Sequence, residues 1–139
     1  MADIRISCHC GAWQARLTAP PRTLDNCHCG FCRQLSGAAF STWAQVGADH
    51  LVVERAGELR RYQASENCAR FFCPTCGTHV RTEDGRMPGK VGLPAGIIMG
   101  ASLPPVAAHY FFDDRAPWST IDDGAPRFGG ESGVDPIGI

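Results

Sequence analysis

The chain has 139 residues, of which 44% are hydrophobic and 19% charged, and its net charge is −1. That composition fits one globular domain with a real core, and the charge balance leaves no electrostatic footprint for nucleic acid or an anionic membrane. No apolar run approaches the length of a membrane-spanning helix.

In chain order, the segments 3–10 (DIRISCHC), 12–19 (AWQARLTA), 38–46 (AAFSTWAQV), 51–56 (LVVERA), 58–64 (ELRRYQA), 69–73 (ARFFC), 78–83 (THVRTE), 96–102 (GIIMGAS) and 108–114 (AHYFFDD) read as strands. They are short, several alternate in polarity, and Gly, Pro, Asn or Asp lies between them. Sixteen Gly and ten Pro suit many turns and argue against long helices. One or two helical turns over Gly30–Ser36 are the exception. The expected fold class is therefore all-β. A single domain over 1–128 is expected, and the Gly-rich tail 129–139 reads as surface coil. The N-terminus has neither a basic flank nor a long apolar stretch, so no signal peptide is read and the expected compartment is the cytoplasm.

Eight cysteines in a secreted miniprotein would suggest disulfides. Here they cluster as Cys-x-Cys, Cys-x-Cys-x2-Cys and Cys-x2-Cys, and such near neighbours close strained disulfides. Thiol clusters of this kind suit a tetrahedral metal, zinc first. In an extended chain residues i and i+2 share a face. Cys8 and Cys10 can then reach one ion while His9 points away. Cys27 and Cys29 do the same around His28, so each histidine is expected to pack or hydrogen-bond on the opposite face. Cys73-Pro74-Thr75-Cys76-Gly77 is the turn that wraps two sulfurs around zinc. Paired with Cys8 and Cys10 it makes a closed structural site of four sulfurs.

Cys27, Cys29, Cys32 and the solitary Cys68 remain. A structural zinc site normally has four protein ligands, whereas a catalytic one has three and an open position. The trio suggests an open site, unless Cys68 completes it and closes it. Cys68 could equally be a buried small residue or a free thiol. Three anionic sulfurs make the metal a weak Lewis acid toward water but a good partner for a fourth sulfur. The expected chemistry is addition of a small thiol to a small electrophile such as an aldehyde, or the reverse breaking of a carbon–sulfur bond.

The stretches CHCGAW, NCHCGFCRQLSGAAF, RFFCPTCGT and AHYFFDDRAPWSTIDDGAPRF, in that order, resemble the glutathione-dependent formaldehyde-activating enzyme family, the domain shared with centromere protein V. The likeness runs from about Ile6 to Phe128. It implies a Mss4-like or β-tent fold of antiparallel sheets pinned by zinc. It implies two Zn2+ ions: a structural one on Cys8, Cys10, Cys73 and Cys76, and a catalytic one on Cys27, Cys29 and Cys32. The implied activity is condensation of glutathione with formaldehyde to S-hydroxymethylglutathione, a carbon–sulfur lyase reaction. The alternative is a binding or scaffold module with both metals structural. A further option is redox chemistry of an empty second site.

Arg33 could meet a substrate carboxylate, but an exposed arginine is the plainer reading. Arg60, Arg61 and Arg70 could contact the carboxylates of glutathione, or be surface charge. His109 and Trp118 read as structural, and Asp113, Asp114, Asp122 and Asp123 as turn and cap residues without calcium-loop spacing.

Overall fold

The computed structural model describes residues 3–99 and 103–137. Among these the elements are β1 (Ile4–Ser7), β2 (Gln14–Leu17), β3 (Leu24–Cys27), α1 (Gly30–Ser36), β4 (Ser41–Gly47), β5 (Leu51–Arg55), β6 (Arg60–Gln63), β7 (Cys68–Phe72), β8 (His79–Asp84), β9 (Lys90–Pro94), β10 (Ile98–Met99), β11 (Val106–Tyr110), β12 (Arg127–Gly129) and β13 (Asp135–Ile137). Three single 3-10 turns complete the regular structure. The class is all-β with one short helix, as read from the sequence. The helix occupies the expected residues and ends at Gly37, whose N–H donates to the Arg33 carbonyl at 2.9 Å.

The described residues fall into two compact units, one drawn from the chain up to Arg22 and Ala44–Leu103, the other from Thr23–Trp43 and Pro104 onward. In the first unit β1 pairs antiparallel with β2 and β10, and β2 with β5. A second run, β9–β8–β7–β6, is also antiparallel throughout. Side chains along β2 alternate between half-buried Gln14 and Arg16 and buried Ala15 and Leu17, the period-2 pattern of a strand with one face inside. Every residue of β6, Arg60-Arg61-Tyr62-Gln63, is exposed. Its charges keep an outermost strand from pairing with other chains.

In the second unit β11 lies between β3 and β12 and is parallel to both, and β12 and β13 close an antiparallel hairpin. The expectation of antiparallel sheets thus holds in the first unit and gives way at two pairings in the second. For β3 with β11 the reason is the connection: the chain leaves this unit within β4 and returns only at Pro104, and so long an excursion admits the parallel direction that a hairpin forbids. β11 and β12 are joined within the unit by residues 111–126, again far more chain than a hairpin turn.

The stretch after Phe128, expected as coil, instead returns as β13. Its glycines make turns rather than disorder. Phe111 has a left-handed φ of 53°, and its N–H donates to the Gly133 carbonyl at 2.9 Å. Gly133 has φ +78°, and a Cβ there would collide with the Phe111 ring. β3, β9 and β12 were also not read from the sequence, being short or broken by Gly and Pro. The expected strand over 96–102 is seen as Ile98–Met99; residues 100–102 lie outside the described residues.

Gly133→Ala should therefore lower stability by about 1–3 kcal/mol, from both the φ and the collision. Gly96→Ala, with nothing within 4 Å of the added carbon, should stay within about 0.5 kcal/mol of wild type. Urea melts of the two variants compare them directly, and matching midpoints would show that the end of the chain is not packed as described.

Candidate functional site

Two hairpin turns of the first unit build the first thiol cluster. Cys8 and Cys10 lie on the turn between β1 and β2, where Cys8 N–H donates to the Trp13 carbonyl at 3.1 Å and Gly11 N–H returns to the Cys8 carbonyl at 3.2 Å. Cys73 and Cys76 lie on the turn between β7 and β8, with Cys73 N–H to the Thr78 carbonyl at 2.9 Å and Gly77 N–H to the Cys73 carbonyl at 2.7 Å. Gly77 takes the left-handed φ of +79° that lets this turn close. Cys8 and Cys10 were expected on a strand. They stand instead just past its end, and the turn brings their sulfurs together by curling rather than by alternation.

The four sulfurs of Cys8, Cys10, Cys73 and Cys76 lie within 4.8 Å of one another. Cys10 Sγ is 3.7 Å from both Cys8 Sγ and Cys73 Sγ. That is nearly twice a disulfide bond of about 2.05 Å. It matches the spacing of about 3.8 Å between sulfurs set tetrahedrally around zinc at about 2.3 Å. The turn favours the Cys76 thiolate: the Thr78 hydroxyl at 3.2 Å, then the Thr78 backbone N–H, pull its thiol down to about 5. Trp13 N–H donates to Cys8 Sγ at 3.3 Å.

The second cluster belongs to the second unit and follows from strand alternation. From Leu24 to Cys29 burial alternates: Leu24, Asn26 and His28 are buried, Asp25, Cys27 and Cys29 half-buried. Cys29, still extended at φ −65° and ψ 159°, caps α1, and its sulfur accepts from Cys32 N–H at 3.4 Å. One turn of helix then brings up Cys32, which is buried. The sulfurs of Cys27, Cys29 and Cys32 lie within 4.8 Å of one another. Contacts with Cys29 and then Cys32, ahead of burial, push the Cys27 thiol far up. Crowded sulfurs cannot all ionise alone, and a cation among them reverses that balance. The donor set fits zinc.

Among the described residues no fourth Cys, His, Asp or Glu joins this group. Cys68 is on β7 in the first unit, and its thiol faces Asp84 Oδ2 at 3.7 Å. It belongs to neither cluster. The Arg86 side chain leads the interactions that hold the Asp84 carboxyl down at about 2.

Neither histidine beside the cysteines joins a cluster. His9 lies on the first turn, its backbone N–H donating to Thr78 Oγ1 at 3.1 Å. His28 turns inward, and its Nε2 meets His109 Nδ1 at 2.9 Å; His109 Nε2 meets Asp123 Oδ2 at 2.7 Å. Both rings are buried, enclosed by Phe112 and, at His28, by Phe40. Burial, ahead of any nearby charge, holds His28 down at about 4, so it is neutral at neutral pH. Ionised Asp123 takes the His109 Nε2–H. With its Nε2–H on Asp123, His109 accepts at Nδ1 from His28 Nε2–H, and His28 Nδ1 has no partner. This chain was not read from the sequence. The parallel pairing of β3 with β11, which sets His109 opposite Asn26, is what creates it; the only sequence signal was a histidine in each of two strands.

The sequence profile of the family described as "Glutathione-dependent formaldehyde-activating enzyme" matches residues 3–114. A curated protein of Halomonas elongata, provisionally given that same name, is 30% identical over 124 residues, covering 84% of this chain and 79% of its own. The crystal structure of a Rhodobacter sphaeroides protein superposes with a TM-score of 0.59 at 27% identity, over 70% of this chain and 90% of that one.

The histidine chain yields a stability test. His109→Leu leaves the His28 Nε2–H buried without an acceptor and should cost about 1–3 kcal/mol. Asp123→Asn, at the exposed end, should cost about 1 kcal/mol or less. Chemical denaturation measures both, and a His109→Leu protein as stable as wild type would show that the hydrogen bond is not formed.

Proposed function

The chain belongs to the glutathione-dependent formaldehyde-activating enzyme family, and from that premise we propose that it is a zinc-dependent carbon–sulfur lyase that joins a small thiol, glutathione, to formaldehyde. The observation that carries this reading is the difference between the clusters: four sulfurs in the first, three in the second. Cys8, Cys10, Cys73 and Cys76 fill a tetrahedron and serve as the structural site. Cys27, Cys29 and Cys32 supply three corners and leave the fourth for an outside sulfur.

A zinc ion held there favours the thiolate form of an incoming thiol. The chain's own residues do the rest. Cys29 and Cys32 are fixed by the start of α1, with the Ser36 and Ser41 hydroxyls on the Cys32 carbonyl at 2.6 and 3.2 Å. His28, neutral and tied to His109, fills the buried side of the same segment and closes it to water. The thiol gives up its proton, the thiolate sulfur attacks the aldehyde carbon to form the carbon–sulfur bond, the C=O π pair moves to oxygen, and that oxygen takes up one proton, balancing the one the thiol released. The product is R–S–CH2OH, and the reverse path returns thiol and aldehyde. A reducing compartment, the cytoplasm, suits a chain with eight cysteines.

The reading is tested by metal content and turnover together. Cys29→Ser and Cys32→Ser should keep the circular dichroism of wild type, fall from about two zincs per chain to about one, and lose at least about 100-fold in glutathione-dependent formaldehyde consumption. Cys73→Ser should instead fail to fold, since binding at a closed zinc site is worth on the order of 10 kcal/mol. Full turnover in the Cys29 and Cys32 variants would end the assignment of catalysis to the second cluster, and a zinc-loaded wild type without turnover would leave a scaffold with two structural metals.

A further inference from the structure

Arg33 follows Cys32 on α1 and lies one turn beyond Cys29, whose carbonyl accepts its backbone N–H at 3.0 Å. An ordinary surface arginine carries its guanidinium into water. This one is folded against the protein. Its guanidinium carbon stands 5.1 Å from the centre of the Trp118 ring, and Nη1 donates to the Asp114 carbonyl at 3.0 Å. Its Nε is shielded from solvent and has no acceptor. A guanidinium offers five N–H groups in a rigid fork, so most of this one is unspent. Trp118 is 70% exposed. The pair is therefore a surface feature, not part of a core, and the indole holds a cation in place rather than filling space.

The position matters as much as the chemistry. Residues four apart share a helix face, so Arg33 sits above Cys29 at about 6 Å along the axis. In a peptide thiol the next residue's carboxylate lies about 3.5 Å of chain further on. A sulfur at the open corner of the second cluster and a carboxylate at Arg33 are thus spans of the same order. A cation whose plane is already fixed loses little freedom on binding a carboxylate.

Resting on the reading of the second cluster as a thiol site, we propose that Arg33 is the specificity-determining residue for that thiol: Trp118 and the Asp114 carbonyl hold its guanidinium ready to take a carboxylate of the substrate. Trp118 is then a positioning residue. The class selected is a thiol with a nearby carboxylate, over a neutral thiol of the same size.

The test uses the zinc-loaded full chain. Calorimetric titration with glutathione, without formaldehyde, reads binding alone. Arg33→Gln should weaken it about ten-fold or more, the worth of charge-assisted hydrogen bonds. Arg33→Lys should recover part of the loss, and Trp118→Ala should weaken binding about three-fold. Zinc content should not change in any of them. With formaldehyde present, the preference for glutathione over 2-mercaptoethanol, judged by kcat/KM, should fall about ten-fold in Arg33→Gln. Should that variant not fold, glutathione diethyl ester on the wild-type protein replaces it and should bind about ten-fold more weakly than glutathione.

Binding within about two-fold of wild type in Arg33→Gln, or of glutathione for the ester, overturns the proposal. So does an equal loss for both thiols, or a wild-type protein that does not bind glutathione. If glutathione binds through Arg33 yet no formaldehyde is consumed, the anchor stands and the lyase reaction falls.

Discussion

The two-residue repeat of an extended chain governs the second cluster. Between Leu24 and Cys29 each residue faces opposite to the next. That puts Leu24, Asn26 and His28 into the interior and leaves the sulfurs of Cys27 and Cys29 together on the outer side. A slip of one residue would send both sulfurs into the core and the histidine to the rim. Two anchors oppose such a slip: the Thr42 hydroxyl donating to Asn26 Oδ1 at 2.6 Å and the His28–His109 bond at 2.9 Å. The polar core of this unit is thus what sets the direction in which the sulfurs point.

The two clusters solve the same problem by different means. The first uses a pair of hairpin turns far apart in the chain, with Cys10 and Cys73 meeting across 63 positions. Any cation bound there ties two hairpins together, and its affinity adds to folding stability. The second uses one continuous segment, Cys27 to Cys32, in which a strand end runs into a short helix. A local site of that kind constrains little distant chain, so an ion held there adds less to folding stability than one tying two hairpins. The same helix carries Arg33 onto Trp118, so sulfur cluster and cation share one rigid support.

Much of this was legible beforehand. The all-β class, the short helix over Gly30–Ser36 and the three local cysteine clusters rest on local spacing, and local spacing survives folding; joining Cys8 and Cys10 to Cys73 and Cys76 rested on the four ligands of a closed zinc site. His28 was expected on the face opposite the sulfurs for the same reason. What failed to show was whatever depended on distant pairing. β13 reads as loose Gly-rich coil until β12 is available to pair with it. Arg33 reads as plain surface charge until the loop carrying Asp114 and Trp118 is brought up to it. The partner of Cys68 had three open readings, and its neighbour proved to be Asp84 on the adjoining strand.

By itself the amino-acid sequence determined which sulfurs are close neighbours, because i, i+2 and i, i+3 spacings keep them within one turn of chain. Cys8 and Cys10 were joined to Cys73 and Cys76 only by the four ligands a closed zinc site needs. The sequence left open whether Cys68 completes the trio, which the structure answers by setting that thiol beside Asp84. Only the tertiary structure decided what stands around that group: the buried His28–His109–Asp123 chain on one side and the Arg33–Trp118 pair on α1. Those neighbours come from residues more than eighty positions away, joined through parallel pairing of β3 with β11. No local pattern encodes a register between strands that a long excursion of the chain separates.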